Sequence, residues 1–304
     1  MAIDCGLDVV IVTYASEAHI RQCLDSLFRH RPSCEMRVLL VDNDSPDSTL
    51  DVVRGDYSEV LVIAREHNDG FAVANNAALR ATTAPFVLVL NPDTEIEAGT
   101  LDHLMSVMAN EQSIGVLGCR LLTADGTLDH ASKRSFPSPM TAAKYFLLKA
   151  IGRSGSAYVR PDVDENSIAD VDAINGAFML VRARAMDEVG LFDEKYWMYG
   201  EDLDWCARFH SAGWRVVYDG TVVAHHLKGG STGGRRPMRL NYHFHRSMEI
   251  FYLDHVSSGH RLADAIVSMG IWLRFALTSV SHSVANATRN RPMAKKPAVD
   301  GAVD

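Results

Sequence analysis

The stretch Tyr199-Gly-Glu-Asp-Leu-Asp-Trp-Cys-Ala-Arg208 gathers acids at the start of a short amphipathic segment. It is followed by Gly213-Trp214 and by the paired His225-His226 ahead of Ser231-Thr232. Carboxylates and imidazoles are costly to bury and suited to proton, metal and phosphate chemistry. Upstream, Asn91-Pro92-Asp93 closes the apolar run Phe86-Val-Leu-Val-Leu90, and Asp42-Asn43-Asp44 follows Arg37-Val-Leu-Leu-Val41. Acids and histidines so far apart in sequence share a site only if folding assembles it, and that is the signature of an enzyme.

The elements that must position these residues read as an α/β fold. Leu7–Thr13, Arg37–Asp42, Val60–Ile63 and Phe86–Leu90 are short β-rich runs. Between them, Ile20, Leu24, Leu27 and Phe28 recur at helical spacing, Ser45-Pro46 opens a second helix that Gly55 stops, and a third runs from Ala72 to Leu79. This β-α-β-α order implies a parallel sheet with helices on both faces, which binds ligands beyond the carboxyl ends of its strands. Thr13-Tyr14, Asp42-Asn43-Asp44 and Asn91-Pro92-Asp93 are expected to face one crevice there. Prolines and glycines mark residues 124–169 as a mobile loop region over the site. Residues 1–240 form the catalytic domain in this reading, 241–288 a C-terminal helical region and 289–304 a disordered tail.

The 304 residues, 47% hydrophobic and 22% charged, suffice for a substantial core, and the formal charge of −8 argues against a nucleic-acid-binding role. Five cysteines without a CxxC pair favour reduced thiols over a zinc module or disulfide framework. The most apolar stretch, Leu262–Val280, is interrupted by Asp264 and Arg274, so no window reaches the roughly 18 uncharged residues of a spanning helix. The chain is expected in the cytoplasm, in peripheral contact with the membrane through an apolar face of Met269, Trp272, Leu273, Phe275, Ala276 and Val280 flanked by basic residues. Packing of that face on the catalytic domain or in a homodimer is the alternative.

Each candidate has an ordinary reading beside the chemical one. Asp42 presents a carboxylate to a nucleoside or forms a turn; Thr13-Tyr-Ala-Ser-Glu17 has no glycine, which removes a dinucleotide-binding fold. Asp93 suits a divalent cation bridging a diphosphate, although Asn-Pro-Asp is also a common turn, and Asn91 offers only a neutral oxygen. Asn68-Asp69-Gly70-Phe71 with Asn75 combines a turn with amides at a helix start, fit to contact sugar or phosphate. Glu201 and Asp202 sit at the positive end of a helix, while Asp204 and Arg208 form a structural i,i+4 pair. Adjacent strand residues face opposite sides, so one of His225 and His226 reaches the site.

Together these residues resemble inverting family 2 glycosyltransferases of the GT-A fold, in the bacterial rhamnosyltransferase-like branch. The resemblance runs over roughly residues 7–255 and rests on the order of Val12-Thr13-Tyr14, Val41–Ser45, Asn68–Ala72 with Asn75-Asn76, Leu90–Thr94, Asn175-Gly176 through Val181, Gly190–Asp193, Tyr199–Asp202 and the histidine pair. It implies that Asp42 reads the nucleotide base, Asp93 is the carboxylate of a DxD-like site for Mg²⁺ or Mn²⁺, and Asp202 is the catalytic base. It further implies that His225 or His226 helps hold the metal diphosphate and that Thr13, Tyr14, Asn68, Gly70, Phe71, Asn75, Asn91, Asn175, Gly176 and Glu201 line the nucleotide-sugar. Asn91 at the first DxD position and a His-to-Ser spacing one residue longer than usual depart from the pattern. The implied donor is a dTDP- or UDP-sugar, with L-rhamnose from dTDP-rhamnose foremost, and the acceptor a glycan or polyprenyl-linked hydroxyl. A nucleotidyltransferase, which releases pyrophosphate, and a non-catalytic sugar-binding protein are the rival classes.

Overall fold

The computed structural model describes residues 6–137, 160–227 and 237–289. Four parallel strands, β1 (Gly6–Thr13), β2 (Glu35–Asp42), β3 (Val60–Ala64) and β4 (Phe86–Leu90), alternate with α1 (Glu17–Arg29), α2 (Thr49–Asp56) and α3 (Phe71–Leu79). The chain continues through β5 (Thr94–Ile96), α4 (Thr100–Asn110), β6 (Ile114–Leu122), β7 (Ile168–Asp170), β8 (Phe178–Arg182), α5 (Ala183–Val189), α6 (Glu201–Ser211) and β9 (Arg215–His226). It ends in α7 (Met238–Phe251), a π-helical turn over Tyr252–Val256, and α8 (Arg261–Arg289).

The strands join one sheet in the order β3-β2-β1-β4-β8-β6-β9-β5, with β7 on β9; β8 runs antiparallel to both β4 and β6. Alternation along the strands feeds two cores. Val10, Val12, Leu39, Val41, Val87 and Val89 pack with α3 and α6, whereas Leu7, Val9, Ile11, Val38, Leu40 and Leu88 pack with α1 and α4. Being buried on both faces, these strands need the near-continuous Val/Ile/Leu runs that the sequence shows.

Three expectations change. The helix after Ser45-Pro46 starts only at Thr49, because the Ser45 amide and hydroxyl both go to Asp42, and Asp47 Oδ1 accepts the Thr49 amide and hydroxyl in a turn that delays it. Residues 138–159 of the expected mobile region, and the 290–304 tail, lie outside the described residues; the preceding segment is not a loose cover, since Asp129, Ser132, Lys133 and Arg134 are all buried. The apolar face expected on α8 is split. Trp272 and Phe275 pack inward on Tyr242 and His245, while Leu262, Ile266, Met269, Leu273 and Leu277 form an exposed stripe at helical spacing.

Asn76 ties α3 to the segment between α5 and α6. Its buried amide donates to Phe192 O (2.9 Å) and Glu194 Oε1 (3.0 Å) and accepts from the Phe192 amide (3.1 Å). Residues 192–194 lead directly toward α6. Asn76→Ala strands a backbone amide and carbonyl in the core and is expected to cost about 1–3 kcal/mol, read as a lower urea midpoint.

Candidate active site

The carboxyl ends of β1, β2 and β4 open on one side, and the loops leaving them are under backbone strain. Ala15 (φ 51), Asp44 (φ 65) and Tyr199 (φ 71), three of the four described non-glycine residues with positive φ, flank this opening or the start of α6. Thr13 Oγ1 donates to Asp42 Oδ1 (2.9 Å), which also takes the Ser45 hydroxyl (2.6 Å), while Asp42 Oδ2 takes the Ser45 amide (3.0 Å). Asp42 is therefore a fixed, buried carboxylate with Tyr14 exposed beside it.

Next to it, Asn43 Nδ2 donates to Asn68 Oδ1 (3.0 Å) and Gly70 O (3.2 Å), and Asn68 Oδ1 also takes the Gly70 amide (3.1 Å). This network shapes the turn into α3. Gly70 has φ +92, and a Cβ there would lie 2.3 Å from Trp197 O, so only glycine lets the Phe71 amide reach that carbonyl at 2.7 Å. Asn75 donates to Phe71 O (2.9 Å), and its Oδ1 is buried without a partner among the described residues.

Past β4, Asn91 is fixed by its backbone, its amide to Ala177 O (3.0 Å) and its carbonyl to the Thr94 amide (3.2 Å). Asp93 Oδ1 lies 3.3 Å from His226 Nε2, and His226 Nδ1 lies 3.0 Å from Asp129 Oδ2. Burial opposes charge on His226, but the hydrogen bonds it donates to Asp129 and Asp93 outweigh it and raise its pKa above the ordinary imidazole value. Burial likewise works against the Asp93 carboxylate, yet the His226 contact carries its pKa below the usual value. His225 points the other way, to Glu97 Oε1 at 2.7 Å. The strand alternation thus separates the pair: His226 joins Asp93, and His225 is not brought to this site.

Asp129 ties this corner to the next. Its Oδ2 also takes Asn175 Nδ2 (3.1 Å), and the following residue, Gly176, donates its amide to Asp202 Oδ2 (3.0 Å). Asp202 Oδ2 further accepts Arg134 Nη2 at 2.6 Å, and Oδ1 accepts the Leu203 amide at 2.8 Å. A Cβ on Gly176 would meet Asp202 Cβ at 3.5 Å and the Phe71 ring at 3.8 Å, ordinary packing distances, so the contribution of this residue is its backbone amide. Beside Asp202, Glu201 is buried with Oε2 unpartnered among the described residues; burial, then the Asp202 charge, push its pKa up to about 8. Asp204 serves structure, bonded to Arg208 (2.8 Å) and His255 (2.7 Å).

Asn43 faces the crevice as expected for Asp42-Asn43-Asp44, whereas Asp129 and Arg134 are the site residues that sequence reasoning missed. They lay in a stretch whose prolines and glycines suggested a loop; the visible signal was a run of charge, Lys133-Arg134, next to the aromatic Phe136. Among the described residues no three His, Cys, Asp or Glu side chains converge to hold a metal by themselves. Asp93 and His226 offer one oxygen and one nitrogen side by side, a donor set that suits a cation drawing its other ligands from a diphosphate.

This mixed sheet, with acids and a histidine gathered at one end of its strands, has the fold of the GT-A glycosyltransferases. The chain belongs to glycosyl transferase family 2, whose model matches residues 8–164. It is 30% identical over 306 residues to the N-acetylglucosaminyl-diphospho-decaprenol L-rhamnosyltransferase of Mycobacterium tuberculosis, covering 95% of this chain and 96% of that one. Among solved structures, residues 1–349 of S. aureus TarS with UDP-GlcNAc superpose with a TM-score of 0.58 at 17% identity, over 88% of this chain and 72% of that one. The mannosyltransferase PcManGT from Pyrobaculum calidifontis with GDP-Man and Mn²⁺ gives 0.55 at 16%, over 94% and 76%. Of the three classes left open by the residues, family membership selects glycosyl transfer.

The raised Glu201 pKa makes a stability prediction. Folded Glu201 keeps its proton to about pH 8, while the unfolded side chain ionises near 4.5, so stability falls as pH rises through that window. Glu201→Gln removes the penalty. Its melting temperature is expected to match wild type near pH 4.5 and to exceed it by a growing margin up to pH 8; equal melting curves at pH 8 contradict a protonated Glu201.

Proposed function

We propose that this glycosyltransferase moves L-rhamnose from dTDP-rhamnose, with inversion, to a hydroxyl of a polyprenyl-linked glycan at the cytosolic membrane surface. The full-length similarity to a rhamnosyltransferase supports the sugar and the acceptor class. The observation that supports the mechanism is a relay of contacts: Asp129, bonded to His226, takes the Asn175 side-chain amide, and the next residue, Gly176, donates its backbone amide to Asp202.

In this reading Thr13, Tyr14, Asp42 and Asn68 hold the nucleoside, Gly70, Phe71 and Asn75 the sugar side, and Asn91, Asp93 and His226 the diphosphate. The acceptor hydroxyl gives its proton to Asp202 as its oxygen bonds to the anomeric carbon. The bond to the diphosphate breaks on the opposite face, and that oxygen leaves with the electron pair. Mg²⁺ or Mn²⁺, when bound, neutralises charge on the leaving diphosphate. Glu201, kept neutral, can donate a hydrogen bond to a sugar hydroxyl without repelling the diphosphate.

A panel of purified nucleotide-sugars, read by acceptor-dependent release of nucleoside diphosphate, tests the donor; transfer from another sugar and none from dTDP-rhamnose overturns it. Asp202→Asn is expected to keep donor binding and to lose about 100-fold or more in turnover. Asp93→Ala is expected to weaken donor binding as well, and full activity after exhaustive chelation excludes the metal.

The exposed stripe of Leu262, Ile266, Met269, Leu273 and Leu277 supports a membrane-docking helix, with Arg289, Arg291, Lys295 and Lys296 following it in the sequence. Wild type is expected to float with anionic vesicles at low salt, and Ile266→Ser/Met269→Ser/Leu273→Ser to stay below. If wild type stays below and sediments as a dimer that the triple variant loses, the stripe is a subunit interface instead.

A further inference from the structure

Asp202 and Glu201 are consecutive acids on the first turn of α6, both buried, yet their surroundings differ. Asp202 takes a guanidinium N–H from Arg134 at 2.6 Å and the Gly176 amide at 3.0 Å on one oxygen, and the Leu203 amide at 2.8 Å on the other. Glu201 Oε2 has no partner among the described residues. The hydrogen-bond donors of this corner therefore converge on Asp202 and not on Glu201.

Arg134 is itself held in place. Its amide and carbonyl pair with Ala173 at 2.8 and 3.0 Å, its Nη2 also reaches the Ile174 carbonyl, and the residue is 6% exposed. The guanidinium has little room to move, and a buried ion pair of this kind contributes orientation more than stability.

We infer that Arg134 is the positioning residue for the acceptor's proton: it holds the Asp202 side chain in one orientation against Gly176, so that Asp202 rather than Glu201 receives the proton. The inference rests on Asp202 as the base. It requires no contact between Arg134 and either substrate.

The test is a double-mutant cycle in transfer assays, with nucleoside diphosphate affinity measured by calorimetry and folding by thermal melts. Arg134→Met is expected to lower kcat about 100-fold with diphosphate affinity unchanged, and Arg134→Lys to recover about tenfold of that. In an Asp202→Asn background, Arg134→Met is expected to cost less than about threefold more, because the group it orients has gone. If Arg134→Met does not fold, Arg134→Lys carries the same comparison, lowering kcat alone and adding nothing to Asp202→Asn. A folded Arg134→Met with near-wild-type kcat overturns the inference, as does a loss repeated in full in the Asp202→Asn background. Wild-type turnover in Asp202→Asn alone removes the base assignment, and the inference with it.

Discussion

The arrangement depends on how several buried carboxylates are satisfied at one end of a sheet. Asp42, Asp129, Asp202 and Glu201 are all largely removed from solvent, and each ionised group among them must find donors or lose its charge. Asp42 finds them locally, in the Thr13 and Ser45 side chains of two neighbouring loops. Asp129 and Asp202 find them in a distant segment, in the amide side chain of Asn175 and the backbone amide of Gly176. The need to satisfy two carboxylates from adjacent residues fixes the spacing between the His226 corner and the start of α6.

The same need explains why the stretch before residue 138 is packed down. Arg134 pairs through its backbone with Ala173, Lys133 Nζ is taken up by the carbonyls of Arg160 and Val163, and the Asp129 amide returns to Leu121 at 2.7 Å. These bonds tie the segment to distant parts of the chain, so it behaves as part of the scaffold rather than as a cover. Backbone strain sits at Tyr199 (φ 71), next to Gly200, whose left-handed conformation (φ 84) leads into α6 without that cost.

Much of this was legible from residue pattern. The parallel β-strands announced themselves by β-branched runs too apolar to have a wet face, and Asp42, Asp93 and Asp202 were marked by their positions at element ends. Strand alternation required that the histidines diverge, but only the register of β9 on β5, Thr94 opposite His226 and Glu95 opposite His225, shows which one turns inward. Asp129 and Arg134 were illegible for a different reason: proline and glycine report local chain bending, while burial of a neighbouring charge is decided by partners 40 to 97 positions away. The α8 face was half legible, since helical periodicity identifies apolar stripes and does not say that Trp272 and Phe275 turn toward α7.

The separation of the two histidines has a consequence for how this chain tolerates changes in length. Side-chain direction along the end of β9 is a matter of parity, so one residue added just ahead of His225 would exchange the inward and outward imidazoles. Two residues would restore the alternation and shift the antiparallel pairing with β5. The histidine doublet softens that rule, because an odd step carries His225 into the strand position opposite Thr94 that His226 leaves, and an imidazole still meets the Asp93 corner.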